Sequence, residues 1–428
     1  MVPHRRRGKP RLSRQPFEGQ VVQALPAPFG EVSQGTIHLT RHVSNSVLSK
    51  FLPTHPAFIL GYSCLQIKQT EIAFPGARVT TEAMSIKQYE FDTPNGTKMP
   101  YRRLGKSGLK VSALSFGSWV TFGSQMGEEI ARDCMKIAYD NGVNFFDNAE
   151  VYAEGKSEEI MGQVLKKMGW GRDTYIVSSK VFWGGGRATQ SGLSRKHIVD
   201  ACHAALRRLQ VEYLDLYYCH RPDYSTPIEE TVRAMHDLVT QGKILYWGTS
   251  EWNAQQITEA FQVARELRIT PPTMEQPQYN LLHRDRVEKE YLPLYKNYGL
   301  GTTIWSPLAS GILTGKYNEG IPTGSRMTVD GYEWLRKQME SPEGQTKIEK
   351  TRRFTALATE IGTHPARLAI AWCLKNPYVS TVILGASRAS QVEENLKALG
   401  DLKLLTKEVI LKIEGIFQNQ PEPEKDWL

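Results

Sequence analysis

Four side chains, each at or just beyond the end of an apolar run of strand length, have the types needed for proton transfer. Asp147 closes one run, Lys180 closes the next, His220 follows the third, and Tyr152 comes five residues after Asp147. A phenol with a pKa near ~10 is a poor acid at neutral pH unless a nearby cation favours the phenolate. Lys180 would supply that cation, and Asp147 would hold the lysine charged and oriented. His220 would donate a hydrogen bond to a substrate oxygen or share a proton with Tyr152. Together they predict protonation of a carbonyl oxygen while a hydride reaches the carbon.

Each of these residues taken singly has a plainer interpretation. A strand-end Asp or Lys commonly forms a salt bridge, and a lone His or Tyr commonly satisfies a core hydrogen bond. Only their joint position at three consecutive strand ends favours a shared site. The prediction therefore depends on the elements that would bring the four residues together.

Those elements are indicated by a regular alternation that begins near Met99. Apolar runs of strand length alternate with amphipathic stretches of helix length, which predicts a parallel sheet covered by helices. The strand ends recur at intervals close to the ~30 residues of one βαβ unit. The eight predicted strands are residues 111–117, 143–147, 175–180, 214–219, 244–249, 273–276, 301–305 and 381–385. The predicted helices include residues 127–141, 157–169, 195–209, 228–241, 254–267 and 285–298.

Eight such units close naturally into a (β/α)8 TIM barrel, and the interval between residues 306 and 385 leaves room for a long loop and extra helices. The alternative, a doubly wound sheet, would carry a Gly-rich fingerprint after its first strand. No GxGxxG occurs, and the glycine run at 184–186 follows the third strand instead. We therefore predict an α/β fold of the barrel type. In such a barrel the carboxyl ends of the strands share one mouth, where the four residues would meet.

The 428 residues carry a formal net charge of +8 at pH 7, which is distributed unevenly. Residues 1–83 hold ten Lys and Arg side chains against four Asp and Glu, so the remaining 345 residues have a net charge of only +2. Two parts are predicted: a basic leader over residues 1–83 and one barrel domain over residues 84–428. The leader is interpreted as disordered, or as a segment that precedes the true start of translation at Met84. Its Arg cluster at 5–14 is also compatible with a nuclear-localisation or transit signal.

Composition excludes several classes of protein. The predicted folded part has no basic face interleaved with aromatic residues, which argues against nucleic-acid binding. No uncharged apolar run reaches ~18 residues, so no membrane insertion is expected. The five cysteines show no CxxC spacing, which favours a reduced, intracellular setting, and no metal site is predicted.

Six collinear segments carry a resemblance to a known family. They are FFDNAEVYAEGKSEE (145–159), SSKVFWGGG (178–186), YYCHRPD (217–223), GTSEWNAQQI (248–257), WSPLASGILTGKY (305–317) and LGASRASQVEEN (384–395). The sequence closely resembles the aldo-keto reductases from about Tyr101 to Phe417. Within that family it is most similar to the voltage-gated potassium channel β-subunit branch, of which TPIEETVRAM (226–235), IPTGSR (321–326), GYEWLRKQM (331–339) and LAIAWCLKNP (368–377) are typical.

The resemblance implies a catalytic tetrad of Asp147, Tyr152, Lys180 and His220, with Tyr152 as general acid and NADPH as the source of hydride. It also implies a set of cofactor-binding residues at the mouth of the barrel. Ser250 and Gln276 would bind the nicotinamide amide; Trp305, Ser306, Pro307, Leu308, Ala309 and Gly311 would line the pyrophosphate; Lys316, Arg326, Ser387 and Gln391 would hold the 2′-phosphate; Glu394 and Asn395 would contact the adenine; Gly385 belongs to the same set. Trp119 is assigned to the cofactor set as well, and with Trp183 and Tyr152 it would border the substrate.

Two positions depart from the channel-subunit pattern. Animal channel β subunits commonly carry Asn at the position of His220, so this sequence looks like the ordinary catalytic version. They usually carry Arg beside the pyrophosphate at the position of Glu251, which puts the affinity for pyrophosphate in question.

Two functions are therefore expected to compete. The first is an NADPH-dependent reductase of small aldehydes or ketones. The second is an auxiliary subunit that binds a potassium channel α subunit and uses bound NADPH as a redox sensor. The resemblance implies a cytoplasmic homotetramer in either case.

Overall fold

The computed structural model describes residues 88–93, 96, 98–119, 122, 127–328 and 331–422, without the side chains of residues 91, 92 and 326. The leader predicted over residues 1–83 lies outside the described residues. None of the helices in the described part combines the length and apolar character needed to span a bilayer.

Eleven strands form two sheets within the described residues. A small antiparallel sheet joins β1 to β3 in chain order, and the other eight strands close a parallel barrel in the order β10-β11-β4-β5-β6-β7-β8-β9. This confirms the predicted (β/α)8 barrel. The strands are Gln88–Asp92 (β1), Lys98–Arg103 (β2), Lys110–Ser112 (β3), Leu114–Gly117 (β4), Phe145–Asp147 (β5), Ile176–Val181 (β6), Leu214–Cys219 (β7), Ile244–Ser250 (β8), Met274–Gln276 (β9), Gly301–Ile304 (β10) and Thr381–Leu384 (β11).

Twelve α-helices are described, and most of them cover the barrel. They are Glu128–Asp140 (α1), Lys156–Met168 (α2), Arg195–Leu209 (α3), Ile228–Thr240 (α4), Ala254–Leu267 (α5), Leu292–Tyr298 (α6), Glu333–Glu340 (α7), Pro342–Glu360 (α8), Pro365–Lys375 (α9), Ala389–Leu396 (α10), Ala398–Asp401 (α11) and Lys407–Phe417 (α12). Local sequence sets several of their starts. Ser194 Oγ accepts the His197 N–H at the start of α3, and Asn253 and Gln256 form a capping box at the start of α5.

Two predicted elements are each divided in the structure. The strand predicted over 111–117 becomes β3 and β4, because Ala113 is where the chain changes sheets. The Ala113 N–H donates to Pro100 O in the small sheet, whereas its carbonyl accepts the Val382 N–H in the barrel. The helix predicted over 285–298 becomes a π-helical turn, Arg286–Glu290, followed by α6. Pro293 has no N–H to continue the preceding turn, and it fits the first turn of a new helix.

The small sheet closes one end of the barrel. Leu104 and Val111 are fully buried against interior residues of the barrel, among them Phe145, Leu216 and Met274. Gly105, at a φ of +56°, lies so close to the barrel rim that a Cβ would come within 2.3 Å of Gly299 O. Because this end is filled, the opposite end, where the strands reach their carboxyl termini, is the one open for a site.

Candidate active site

The Lys180 ammonium lies at the centre of the barrel mouth, fully buried on β6. It donates to Asp147 Oδ2 at 2.6 Å, to Asn148 O at 2.8 Å and to the Tyr152 hydroxyl at 3.0 Å. An ammonium has three donors and no acceptor, so the lysine is fully satisfied by these three oxygens. The Tyr152 oxygen therefore accepts from Lys180, and its own proton remains available for another acceptor.

Asp147, at the end of β5, is fixed by two further donors. Its Oδ1 accepts from Ser178 Oγ at 2.8 Å and from Gln276 Nε2 at 3.1 Å. Ser178 and Lys180 can both reach it because side chains two apart on a strand share a face. Gln276 reaches it from β9, across the barrel. The carboxylate thus binds one cation and two neutral donors and cannot rotate away from the lysine without losing all of them.

Charge and burial act in opposite directions on this pair. Burial lowers the pKa of Lys180, but Asp147 and Tyr152 together raise it above its usual value. Burial raises the pKa of Tyr152, and the Lys180 ammonium offsets only part of that increase. The lysine is therefore charged and the phenol protonated at neutral pH. The Lys180 ammonium lowers the pKa of Tyr152, which is the direction expected of a cation near a phenol. Burial raises that pKa by more, so the net change is upward.

Tyr152 reaches the lysine from a tight turn directly before α2. Ala153 and Glu154 have φ values of 48° and 56°, and Gly155 follows at 88°. This left-handed run reverses the chain between β5 and α2, so that the ring lies over the mouth with 9% of its surface exposed. Such a conformation is uncommon in non-glycine residues and costs of order 1–3 kcal/mol each, which is typical of functional sites.

His220 follows β7 and lies beside Tyr152, with the two ring centroids 5.8 Å apart in an edge-on arrangement. Burial, reinforced by Lys180 and Arg221, lowers the pKa of His220 well below 6.5. The ring is therefore neutral at physiological pH. Its Nδ1 is buried and has no hydrogen-bond partner among the described residues.

Aromatic rings surround this group. Trp183 packs edge-on against His220 at 5.0 Å, and Trp119 lies 6.3 Å from the Tyr152 ring. Trp119 also meets Trp305 edge-on at 5.8 Å. A cleft of about 300 Å³ begins at Trp119 and Trp305 and extends to Trp334 on α7. The aromatic rings suit an apolar compound, although the four acid–base side chains do not line the cleft itself.

The two residues predicted to bind a carboxamide are brought next to the acid–base group. Ser250 ends β8 and Gln276 ends β9, where they are register partners. Ser250 Oγ donates to Gln276 O at 2.9 Å, and Gln276 in turn contacts Asp147. Both side chains are buried.

The segment after β10, predicted to line a pyrophosphate, has an unusual backbone. Ser306, Ala309 and Ser310 have φ values of 57°, 47° and 57°, and Gly311 has 90°. The φ of Gly311 favours glycine, and a Cβ built there would lie 3.0 Å from Lys316 Nζ, which shows that the lysine crosses close to this backbone. Trp305 and Leu308 are half-buried, and Pro307 is buried. A looped backbone with a lysine laid across it is the kind of cradle that admits phosphate.

Ser387 and Gln391, two of the residues predicted for the 2′-phosphate, lie with Glu394 and Asn395 in the loop after β11 and in helix α10. Gln391 Oε1 accepts from both Ser387 N and Ser387 Oγ, at 2.7 and 3.1 Å. A Cβ on Gly385 would meet no atom within 4 Å, so the space above it is open. Glu394 is paired with Lys397 at 2.8 Å, and Asn395 is buried. The side chain of Arg326 lies outside the described residues.

Glu251, the departure noted beside the predicted pyrophosphate segment, is held by several neighbours. Its carboxylate accepts from Trp305 Nε1 at 2.9 Å and from Gln278 N at 2.6 Å. Its other oxygen pairs with Arg286 at 3.0 Å. A guanidinium therefore lies beside Glu251, although it comes from a different part of the chain.

Sequence reasoning missed three contributors to the site. Ser178 could have been found from its spacing of two residues to Lys180 on one strand. Arg221, directly after His220, lies over the Trp183 ring at 5.3 Å and lies 3.4 Å from Ser250 Oγ. Arg286 carried no signal, because its partner Glu251 is 35 residues away.

Comparison with known proteins gives two kinds of match. Residues 113–417 match the model of the Aldo/keto reductase family. Over 330 residues, which are 77% of this chain and the whole of the relative, the chain is 53% identical to a probable voltage-gated potassium channel subunit beta from Arabidopsis thaliana. A relative with the same description from Oryza sativa subsp. japonica is 52% identical over the same shares of both chains.

Proposed function

The chain belongs to the aldo/keto reductase family, and we propose that it is an NADPH-dependent reductase of aldehydes and ketones with Tyr152 as the proton donor. Membership of the family supports oxidoreductase activity with a nicotinamide dinucleotide. Beyond this, we propose NADPH as the cofactor, a carbonyl compound as the substrate and a specific role for each residue. The observation that carries it is the contact of Tyr152 with a lysine whose three donors are all engaged.

The residues at the mouth fit such a cofactor. Ser250 and Gln276 offer hydroxyl and amide groups beside Asp147, as a carboxamide requires. Ser306, Ala309, Ser310 and Gly311 have left-handed backbone after β10, and a Cβ on Gly385 after β11 would meet no atom within 4 Å, which supports a dinucleotide on these two loops. When bound, NADPH supplies the hydride that adds to the carbonyl carbon.

The chain's own residues supply the proton and the charge. A carbonyl oxygen placed between Tyr152 and His220 would accept the phenol proton as negative charge develops on it. The neutral His220 would donate a second hydrogen bond to the same oxygen. Lys180 stabilises the phenolate left behind, and Asp147 keeps the lysine in place, so that the electrostatic arrangement exists before reaction.

The direct test uses purified protein, NADPH and 4-nitrobenzaldehyde, with loss of cofactor absorbance as the readout. We expect turnover with NADPH and slower turnover with NADH. Protein that binds NADPH but consumes none with either 4-nitrobenzaldehyde or phenanthrenequinone would refute the proposal.

A second function is favoured by the names of the relatives, which are described as probable potassium channel β subunits. Under this proposal the chain is a cytoplasmic homotetramer that binds a potassium channel α subunit, and bound NADPH reports the redox state. Co-purification of a channel α subunit with the tagged chain would support it, and light scattering would give the number of subunits. A monomer with no associated channel would count against it.

A further inference from the structure

A loop over residues 182–193 covers the active site with Trp183. The loop is closed at its base by the Gly192 N–H, which donates to Phe182 O at 2.8 Å, and Trp183 pairs with Ser191. Trp183 packs on His220, and 42% of its surface is exposed. One face of the ring is therefore part of the substrate wall, and its position depends on what holds the loop.

Two buried side chains hold the base of this loop, one on each side. Glu150 Oε1 accepts the Phe182 N–H at 2.7 Å, and His197 Nδ1 lies 2.8 Å from Gly192 O. The remaining oxygen of Glu150 lies 3.4 Å from His197 Nε2. Both side chains have only 4% of their surface exposed. A continuous chain of contacts thus runs from Phe182 through Glu150 and His197 to Gly192.

The partners determine the protonation of His197. A carbonyl oxygen can only accept, so Nδ1 carries a proton, and Nε2 faces a carboxylate that also accepts. A neutral ring would aim a lone pair at that carboxylate, whereas an imidazolium donates to both. Burial lowers the pKa of His197, but Glu150 and the Gly192 carbonyl together raise it above 6.5.

Other charges around the pair already have partners. On α2, Glu158 is held by Arg208 and by Ser179. On α3, Asp200 pairs with Lys196. His197 is therefore the ion-pair partner of Glu150 within the described part of the chain.

Gly184 shows how closely the loop lies on this pair. A Cβ at this position would come within 2.7 Å of Glu150 Oε2 and of His197 Nε2. Glu150 is also only two residues from Tyr152, and its N–H donates to Lys180 O at 3.2 Å. The pair thus joins the turn that carries the proton donor to the loop that carries the substrate wall.

We propose that Glu150 and His197 are positioning residues whose ion pair holds Trp183 against His220 and thereby sets the KM for the carbonyl substrate. They take no part in proton or hydride transfer. The inference rests on the proposed reductase function. The contribution of the Glu150–His197 pair to substrate binding depends on the charge of His197.

Three variants test it. Glu150→Ala and His197→Ala remove the contacts. We expect each variant to have a roughly tenfold higher KM, which corresponds to a loss of ~1.4 kcal/mol in substrate binding. The kcat and the affinity for NADPH should be unchanged. Glu150→Gln keeps an acceptor for the Phe182 N–H and a donor for a neutral His197. Asp215→Asn is the matched control. The buried carboxylate of Asp215 also accepts a backbone N–H, that of Val177, but it does not contact the loop.

The pH dependence separates positioning from a merely structural role. A raised folded-state pKa means that the charged pair persists below that pKa and is lost as pH rises through it. The wild-type KM should therefore rise with pH above 6.5, whereas the KM of Glu150→Gln should be flat. Equal pH dependence in the two proteins would overturn the proposal, and this comparison remains decisive if the alanine variants do not fold.

Hydrogen exchange followed by mass spectrometry supplies a readout that needs no turnover. The peptide covering 182–193 should exchange faster in the alanine variants and not in Asp215→Asn. Unchanged exchange, or faster exchange with an unchanged KM, would contradict the proposal. A wild-type protein that reduces no carbonyl would instead refute the reductase function, and the exchange data would still decide whether the pair holds the loop.

Discussion

The Lys180 ammonium donates to the Tyr152 hydroxyl across 3.0 Å, and this contact defines the chemistry of the site. Because the lysine cannot accept a hydrogen bond, the tyrosine must use a lone pair toward it and keep its proton for another acceptor. The same lysine is anchored by Asp147, so its charge and position do not depend on a bound substrate. A preorganised cation beside a protonated phenol is what a proton donor to a carbonyl needs.

Asp147 and Lys180 should be energetically coupled. Each single substitution, Asp147→Asn or Lys180→Met, leaves its partner buried without a counter-charge, which typically costs about 3–5 kcal/mol. The double variant removes both charges, so its loss of unfolding free energy should be smaller than the sum of the single losses by at least ~1 kcal/mol. Urea unfolding of the four proteins measures this coupling. Additive losses would show that the pair does not act as a unit.

The kcat for reduction should be insensitive to pH from 6 to 9. The proposed mechanism needs protonated Tyr152, whose pKa burial raises above its usual value of about 10. His220 does not titrate in this range, because burial and the neighbouring cations lower its pKa well below 6.5. The rate at saturating substrate should fall only near and above pH 10. A midpoint between pH 6 and pH 9 would mean that a group other than Tyr152 supplies the proton.

Glu275 should make stability depend on pH. This fully buried carboxyl on β9 accepts from Thr249 Oγ1, and its Oε1 has no hydrogen-bond partner among the described residues. Burial raises the pKa of Glu275 to about 8. Its contribution to stability is therefore complete below the unfolded-state pKa near ~4.3 and is lost as pH rises through 8.

Glu275→Gln cannot ionise, so its advantage over the wild type should grow between pH 5 and pH 9. At about 1.4 kcal/mol per pKa unit, the change amounts to a few kcal/mol. Urea unfolding at several pH values measures it, and Glu259→Gln, an exposed position on α5, is the control. A constant difference between Glu275→Gln and the wild type would mean that the carboxyl is ionised throughout.

Cofactor preference should depend on Arg326. The family resemblance places this residue at the 2′-phosphate, where a planar guanidinium binds a phosphomonoester with two hydrogen bonds. Arg326→Ala should weaken NADPH binding roughly tenfold or more and leave NADH binding nearly unchanged. Fluorescence titration with both nucleotides tests this. A variant that keeps the wild-type preference for NADPH would show that other residues recognise the phosphate.

Much of the fold and the acid–base group could be predicted from the sequence, since both follow from local pattern. Eight apolar runs at regular spacing predict the barrel, and parallel strands bring Asp147, Lys180 and His220 to one mouth. The change of sheet at Ala113 could not be predicted, because residues 111–117 contain no Pro and no Gly before Gly117 that would mark a break. What divides it is pairing with β2 and β11, which local pattern does not encode.

The supporting contacts were beyond prediction for a similar reason. Gln276 and Asp147 are 129 residues apart in the sequence, and they come into contact only when the barrel closes. Glu150 and His197 lie in different βα units, so nothing in their spacing indicates a pair. Such contacts are long-range consequences of the fold, whereas Asp147, Lys180 and His220 lie at or next to strand ends that the sequence marks directly.

The most direct test of the account compares wild-type protein with Tyr152→Phe in NADPH-dependent reduction of 4-nitrobenzaldehyde. Removing one hydroxyl should lower kcat by roughly 10²–10⁴-fold, the usual contribution of a general acid, while NADPH affinity stays unchanged. Tyr139→Phe, which loses a hydroxyl bonded to Thr174 on the outer surface, should behave like the wild type. Wild-type turnover in the folded Tyr152→Phe protein would contradict the assignment of Tyr152 as the proton donor.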